Sequence, residues 1–152
     1  MTIHKSDAVL AGITPDYALA GVVLSRSCKF TPADDSIVSG DTIQMIPVPK
    51  GAQILGFDIF YTALPAGTTG ANIGYGGDAD AFMSTLPLTA QNIKHWPGNA
   101  LDNKTTAGLL HTFTAPDTID IALGSAATKI PTSTPIYMNV MYKMTGVLSD
   151  ET

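Results

Sequence analysis

Three segments of the chain alternate apolar and polar side chains with a period of two residues. They are 53–62 (QILGFDIFYT), 118–123 (TIDIAL) and 136–145 (IYMNVMYKMT). Because successive side chains of an extended strand point to opposite faces, this alternation predicts antiparallel strands, each with one face in the core. The positions predicted to face the core are Leu55, Phe57, Ile59 and Tyr61; Ile119, Ile121 and Leu123; and Ile136, Met138, Val140, Tyr142 and Met144.

Four further segments have weaker strand character, and short turns rich in Pro and Gly separate several strands. The weaker segments are 20–30, 41–48, 71–76 and 109–115. No window sustains a 3.6-residue apolar period with helix caps at both ends. About seven or eight strands joined by hairpins and a few longer loops predict an all-β fold, an antiparallel two-sheet sandwich over residues 20–148.

The first 19 residues are rich in apolar side chains but show no strand alternation. We predict an extended N-terminal arm over 1–19, in which SDAVLA suits one helical turn. The candidate partner contacts in the arm are Ile3, Val9, Leu10, Ile13 and Tyr17. At the other end, residues 149–152 are predicted to form a polar tail.

Residues 84–108 form the longest stretch without a clear strand pattern, and they carry Trp96, the single tryptophan. Long loops in compact domains are usually functional or ordered by a partner, and large aromatic side chains are favoured interface anchors. Trp96 is therefore a further candidate partner contact. The alternative for Tyr17 and Trp96 is that each caps one end of the sandwich.

The chain is poor in charge: of its 152 residues, 45% are hydrophobic and only 14% are charged, against roughly 25% in typical soluble domains. A surface so short of charge predicts that protein partners cover part of the chain. The net charge of −5 and the scattered basic residues argue against nucleic acid. No apolar run or N-terminal pattern predicts a membrane span or a secretion signal. Cys28 is the single cysteine, which fits folding in a reducing cytoplasm.

Residues 72–83 (NIGYGGDADAFM) superficially resemble a phosphate-binding or metal-binding loop. The G-x-G-x-x-G pattern fails at Ala79, and no helix pattern follows to direct its N-terminus at a phosphate. Asp78 and Asp80 offer alternating oxygen ligands for calcium, but the closing glutamate of an EF-hand loop is missing. We predict a tight corner between strands and no cofactor, with Asp78 and Asp80 as the candidate metal ligands.

Catalytic patterns are weak throughout. The histidines His4, His95 and His111 have no metal-ligand spacing, and neither H-E-x-x-H nor G-x-S-x-G occurs. The carboxylates considered as possible pairs are Asp34 and Asp35 in a loop, and Asp58 and Asp120 on polar strand faces. The sequence predicts that the protein is not an enzyme. A small hydrolase that depends on His95 or His111 is the catalytic alternative.

The stretches DTIQMIPVPKGAQILGFDIFYTAL and ANIGYGGDADAFM resemble small structural proteins of tailed bacteriophages. The resemblance covers about residues 41–83, with a looser likeness in PIYMNVMYKMTG. The nearest class is the head decoration, or cement, proteins. The resemblance implies a jelly-roll-like sandwich that binds the major capsid protein on the outside of the shell as a dimer or trimer. It further implies a virion protein made in the host cytoplasm, without catalytic residues.

A second functional hypothesis is a receptor-binding or carbohydrate-binding module of a phage tail or fibre. Such a module would use Asp78 and Asp80 with calcium, or Trp96 as a stacking platform for a sugar ring.

Overall fold

A computed structural model describes residues 2–10, 22–33, 37–62, 70–88, 92–97, 107–124 and 134–145. These residues form nine strands and one short helix. In chain order the elements are β1 (Ile3–Lys5), α1 (Asp7–Leu10), β2 (Val23–Phe30), β3 (Thr42–Val48), β4 (Ala52–Tyr61), β5 (Ala71–Tyr75), β6 (Asp78–Leu86), β7 (Asn92–Trp96), β8 (Asp117–Ala122) and β9 (Ile136–Met144). Within these ranges, no helix has the length and hydropathy needed to cross a membrane.

The strands form two sheets. Sheet A has the order β1-β3-β8-β5-β6, and sheet B has the order β2-β9-β4-β7. The pairing is nested, because β5 pairs with β6, β4 with β7, β3 with β8 and β2 with β9. A long antiparallel hairpin rolled up in this way is a jelly roll. The all-β, jelly-roll-like sandwich expected from the sequence is therefore confirmed.

The core lies between the two sheets, and the segments with period-two alternation supply much of it. All five predicted core positions of β9 are buried. The predicted core positions of β4 are also buried, except Leu55. The pairing of β4 with β9 shifts between Ile54 and Gly56, and this bulge directs Ile54 into the core instead.

The expectation that 84–108 lacks strands is wrong in the part that the structure describes. Strand β6 extends to Leu86, and β7 covers Asn92–Trp96. Because β7 pairs with β4, the Trp96 indole turns toward the core, where only 3% of the residue is exposed. The indole stacks on Phe57 at 5.8 Å and meets Phe82 edge-on at 4.9 Å. Trp96 therefore packs the interior of the sandwich, and the expectation that it lies outside the core is wrong.

Residues 109–115 are predicted as a strand, but the structure gives them only an isolated bridge between Gln53 and Thr112. The corner predicted within 72–83 is present: β5 and β6 form a hairpin across Gly76 and Gly77. Gly74 of this hairpin is required by a close approach, because a Cβ there would lie 2.1 Å from the carbonyl oxygen of Asp78.

The N-terminal residues attach to the sandwich. Within the predicted arm over 1–19, the structure places β1 at the edge of sheet A, parallel to β3. Three residues are too few for strand alternation to show in the sequence. Residues 11–19 of the arm and the predicted polar tail 149–152 lie outside the described residues. The helical turn expected in SDAVLA is present as α1. The Asp7 carboxylate accepts a hydrogen bond at 3.0 Å from the backbone N–H of Lys29 in β2, so this segment connects the two sheets.

The buried carboxylate of Asp41 holds β1 in place. It accepts hydrogen bonds from the backbone N–H of Thr2 at 2.8 Å and of Val38 at 3.1 Å, and His4 Nε2 lies 3.1 Å from Oδ2. Burial raises the pKa of Asp41, but the hydrogen bonds outweigh it, and the pKa lies below its ordinary value. Asp41 is therefore an ionised anchor for the start of the chain.

Candidate partner-binding face

The surface of sheet B that points away from sheet A exposes several large apolar side chains. We call this surface the outer face of sheet B. Its members are Val23, Ser25, Ser27 and Lys29 of β2; Gln53, Asp58 and Phe60 of β4; Ile93 and His95 of β7; and Tyr137, Asn139, Met141 and Lys143 of β9. Large exposed apolar side chains gathered on one flat surface mark protein interaction sites.

An apolar row crosses this face. Strand pairing aligns Tyr137 with Phe60, and Phe60 with Ile93. The rings of Tyr137 and Phe60 are 5.9 Å apart, and Lys29 Nζ lies 5.7 Å from the Tyr137 ring centroid. Ile93 is 52% exposed and Tyr137 is 40% exposed, so the row has apolar area to bury. The lysine contributes a cation–π contact at the end of the row.

A polar row lies beside the apolar row. Asn139 Oδ1 accepts hydrogen bonds from Ser25 Oγ at 2.7 Å and Ser27 Oγ at 3.0 Å. On the other side of Asn139, Asp58 contacts His95 Nδ1. Between the two rows is a shallow hollow of about 270 Å³. An apolar row bordered by satisfied polar groups has the composition of a protein interface with a polar rim.

The sequence contains a signal for this face in the pattern of β9. In IYMNVMYKMT, Tyr137 and Met141 are apolar residues at positions that should be polar. Both are exposed. Ile93 gives no such signal, because its strand is too short to show alternation.

The predicted contacts of the N-terminal arm lie elsewhere. Ile3 is 52% exposed on β1 and Leu10 is 72% exposed at the end of α1, while Val9 is half-buried. Ile13 and Tyr17 lie outside the described residues. Ile3 and Leu10 line a second hollow of about 490 Å³ with Phe30 and Ile37. The structure therefore leaves Ile3 and Leu10 accessible to a partner, at a different place from the outer face of sheet B.

The candidate metal ligands Asp78 and Asp80 both lie in β6. The backbone N–H of Asp80 donates a 3.4 Å hydrogen bond to Asp78 Oδ1, as in an ordinary turn. In the part of the chain that the structure describes, no three His, Cys, Asp or Glu side chains lie together as a metal site requires. Asp78 and Asp80 are therefore close together on β6, but the described residues supply no third histidine, cysteine or carboxylate ligand beside them.

The residues considered for catalysis are dispersed. His95 pairs with Asp58 on sheet B, whereas His111 stacks on Tyr75 with ring centroids 4.3 Å apart. Asp120 lies in sheet A and Asp34 and Asp35 lie outside the described residues. Burial, followed by the charge of Asp7, raises the pKa of the Cys28 thiol to about 12, so it stays protonated at neutral pH. Among the described residues, the geometry does not bring His95, His111 and Asp120 into one centre.

No family model matches the chain, and no curated protein matches it. Solved phage structures do share its fold. A chain in the capsid of Ralstonia phage GP4 matches with a TM-score of 0.72 at 15% identity, over 93% of this chain and 97% of that chain. A chain of the cyanophage Pam1 capsid asymmetric unit matches with a TM-score of 0.56 at 24% identity, over 86% and 90% of the two chains.

A chain in the acidic stable capsid structure of Helicobacter pylori bacteriophage KHP30 matches with a TM-score of 0.54 at 14% identity, over 84% and 92% of the two chains. At these identities the likeness establishes a shared fold. The protein therefore has the jelly-roll fold of chains found in three solved phage capsids.

Proposed function

We propose that the chain is a structural protein of a bacteriophage virion that binds the outside of the capsid shell and stabilises it as a decoration, or cement, protein. The observation that carries this proposal is the fold match to chains of three phage capsids. The matches cover at least 84% of this chain and at least 90% of each capsid chain. Matches of this extent involve the whole sandwich rather than a shared hairpin. The protein contributes binding surface and no catalysis.

The outer face of sheet B is the proposed contact with the shell. A protein that binds only the assembled shell stabilises it by mass action. Specific contacts of this kind bury on the order of 1,200–2,000 Å² in total, and the apolar row on the outer face of sheet B provides the centre of such a contact. Dimers or trimers of the chain would add avidity. The receptor-binding alternative gains no supporting observation from the described residues.

The proposal predicts that Ile93→Asp and Tyr137→Asp each lower the number of copies retained on particles by about tenfold or more. A carboxylate placed at the centre of an apolar contact is desolvated without a partner, and each ~1.4 kcal/mol lost is a factor of ten in affinity. Retention is measured by mass spectrometry after sedimentation of particles incubated with each variant.

Val38→Asp is the matched control, because Val38 is an aliphatic residue of similar exposure (43%) in the segment that leads into β3 of sheet A. It should be retained like the parent chain. Thermal unfolding of all three variants verifies that each is folded. Undiminished retention of both Ile93→Asp and Tyr137→Asp would exclude this face as the contact with the shell.

A further inference from the structure

A cavity of about 290 Å³ lies on the outer face of sheet A, on the opposite side of the molecule from the outer face of sheet B. Its apolar walls come from Ile3, Tyr75, Ala79 and Ala122. Gln44 and Asp120 supply polar groups. The cavity therefore combines aliphatic and aromatic walls with a carboxyl group. It is separate from the contact proposed for the outer face of sheet B.

Asp120 lies within the cavity lining and is only 8% exposed. In sheet A it pairs with Gln44 of β3 on one side and with Gly74 of β5 on the other. Its Oδ1 accepts a 2.5 Å hydrogen bond from Thr118 Oγ1. Among the described residues, Oδ2 has no hydrogen-bond partner. Oδ2 is not enclosed by protein but stays open to the cavity, so a ligand there can supply a donor to this largely buried carboxyl group.

The charges nearest to the cavity do not compensate Asp120. Burial raises the pKa of Asp120, and the charge of Asp117, which precedes it on β8, raises it further. Burial likewise raises the pKa of Tyr75, with smaller contributions from Asp78 and Asp117. Across sheet A, Asp120 is aligned with Gln44 of β3, and Gln44 is aligned with Lys5 of β1. The basic residue Lys5 therefore lies two strands away from Asp120. The cavity is thus an acidic recess that lacks an adjacent cation in the described part of the chain.

We propose that this cavity receives a lysine side chain of a capsid shell subunit, whose ammonium group bonds to Asp120 while its methylene stem lies along the apolar walls. The proposal rests on the proposed function and names a specific contact for it. Lysine carries a compact charge on a flexible four-carbon stem that buries readily against apolar surface. Arginine binds carboxylates through both oxygens, but Oδ1 of Asp120 is already bonded to Thr118, which leaves one oxygen for a single donor.

The cavity and the outer face of sheet B lie on opposite sides of the molecule, so the proposal places the chain between two shell subunits, one on each side. Two consequences distinguish the lysine contact from the contact at the outer face of sheet B. The lysine contact is charge-assisted, and removal of the charge at Asp120 with little change of shape should weaken it. Hydrogen bonds to charged groups contribute roughly 1.5–3 kcal/mol, so Asp120→Asn should lower the affinity for particles by about tenfold to a hundredfold. The carboxyl group should also lie close enough to a shell lysine for direct chemical coupling.

The test uses particles carrying the full chain and a carbodiimide, which joins a carboxyl group to an amine with loss of water and without a spacer. We expect mass spectrometry to find Asp120 joined to a lysine of the shell protein. Retention of Asp120→Asn should fall by about tenfold or more. Asp80→Asn, in an exposed position of β6, should be retained like the parent.

The outcomes separate the lysine contact from the proposed function. If the parent chain does not bind particles, the proposed function fails and this contact fails with it. If the parent binds and Asp120→Asn binds equally well, only the lysine contact is overturned. A cross-link from Asp120 to a lysine of a second copy of this chain would also overturn the assignment to the shell.

Discussion

At pH 8, Asp120→Asn is expected to be more stable than the parent chain, by about 2 to 4 kcal/mol in the free energy of unfolding. Burial, with a contribution from the charge of Asp117, raises the pKa of Asp120 to about 7 in the folded chain. Each unit of pKa difference between the folded and unfolded states corresponds to about 1.4 kcal/mol. Asparagine stays neutral at every pH and still presents an oxygen to the Thr118 hydroxyl.

The direction of the pH dependence follows from a folded-state pKa above the ordinary aspartate value. The folded chain then binds the proton more tightly than the unfolded chain. The stabilising effect of protonation is complete below about pH 4 and is lost as the pH rises through about 7. The advantage of Asp120→Asn should therefore be small at pH 4 and reach its full size at pH 8.

Urea unfolding of both chains at pH 4, 6 and 8 measures this difference. Asp80→Asn makes the same chemical change at an exposed position and should differ from the parent by less than about 0.5 kcal/mol at each pH. A parent chain that is as stable as Asp120→Asn at pH 8 would show that Asp120 ionises in the folded state without penalty.

Asp41→Ala is expected to destabilise the chain by about 2 to 4 kcal/mol at pH 7 and to release β1 from sheet A. The substitution removes the acceptor for the backbone N–H groups of Thr2 and Val38 and the partner of His4. These part-buried donors lose a charged acceptor, at a cost of about 1–2 kcal/mol each. The amide of Ser6, which donates to the Gln44 carbonyl at 2.8 Å, should exchange with solvent faster in the variant.

The pH dependence of this second variant has the opposite direction. The pKa of Asp41 is lowered by folding, so its contribution is present above the ordinary aspartate pKa of about 3.9 and is lost as the pH falls below it. The stability difference between the parent and Asp41→Ala should therefore narrow in acid.

Asp7→Ala is the comparison variant for Asp41→Ala. Its carboxylate also accepts two backbone N–H bonds, but Asp7 is exposed, so we expect a loss of about 1 kcal/mol or less. Hydrogen exchange followed by mass spectrometry reports on both variants. Equal protection of β1 in Asp41→Ala and the parent would contradict the anchoring role of Asp41.

The parts of the fold that could be predicted from the sequence are those with long, regular alternation. Strand β9 is nine residues long, and all five of its predicted core positions are buried. The bulge at Leu55 could not be predicted, because alternation alone contains no information about where a strand and its partner lose register. Strands β1 and β7 have three and five residues, which is too short for a reliable period.

The candidate contacts were less predictable than the fold, because they depend on which strands become neighbours. From the sequence, Trp96 is predicted to be a partner contact in a loop. In the structure, the pairing of β7 with β4 places it in the core. The row formed by Tyr137, Phe60 and Ile93 comes from three strands that are distant in sequence. Asp120 has the same polar-face pattern as Asp58, and only the neighbouring strands make one buried and the other half-exposed.

The two roles of Asp120 oppose each other. The same carboxyl group that lowers the stability of the free chain at neutral pH is the one that we propose to bind a lysine on the shell. Binding residues are commonly retained at a cost in stability. A variant that is more stable alone but is retained less well on particles would be difficult to attribute to misfolding.

The most direct test of the proposed virion role is the number of copies of the chain in purified phage particles, counted by quantitative mass spectrometry against the major shell protein. We predict a fixed stoichiometric ratio to the shell subunit, because a decoration protein repeats with the symmetry of the lattice that it covers. A few copies per particle would contradict decoration of the shell and indicate a location on the tail or portal. Complete absence from particles would contradict a structural role in the virion.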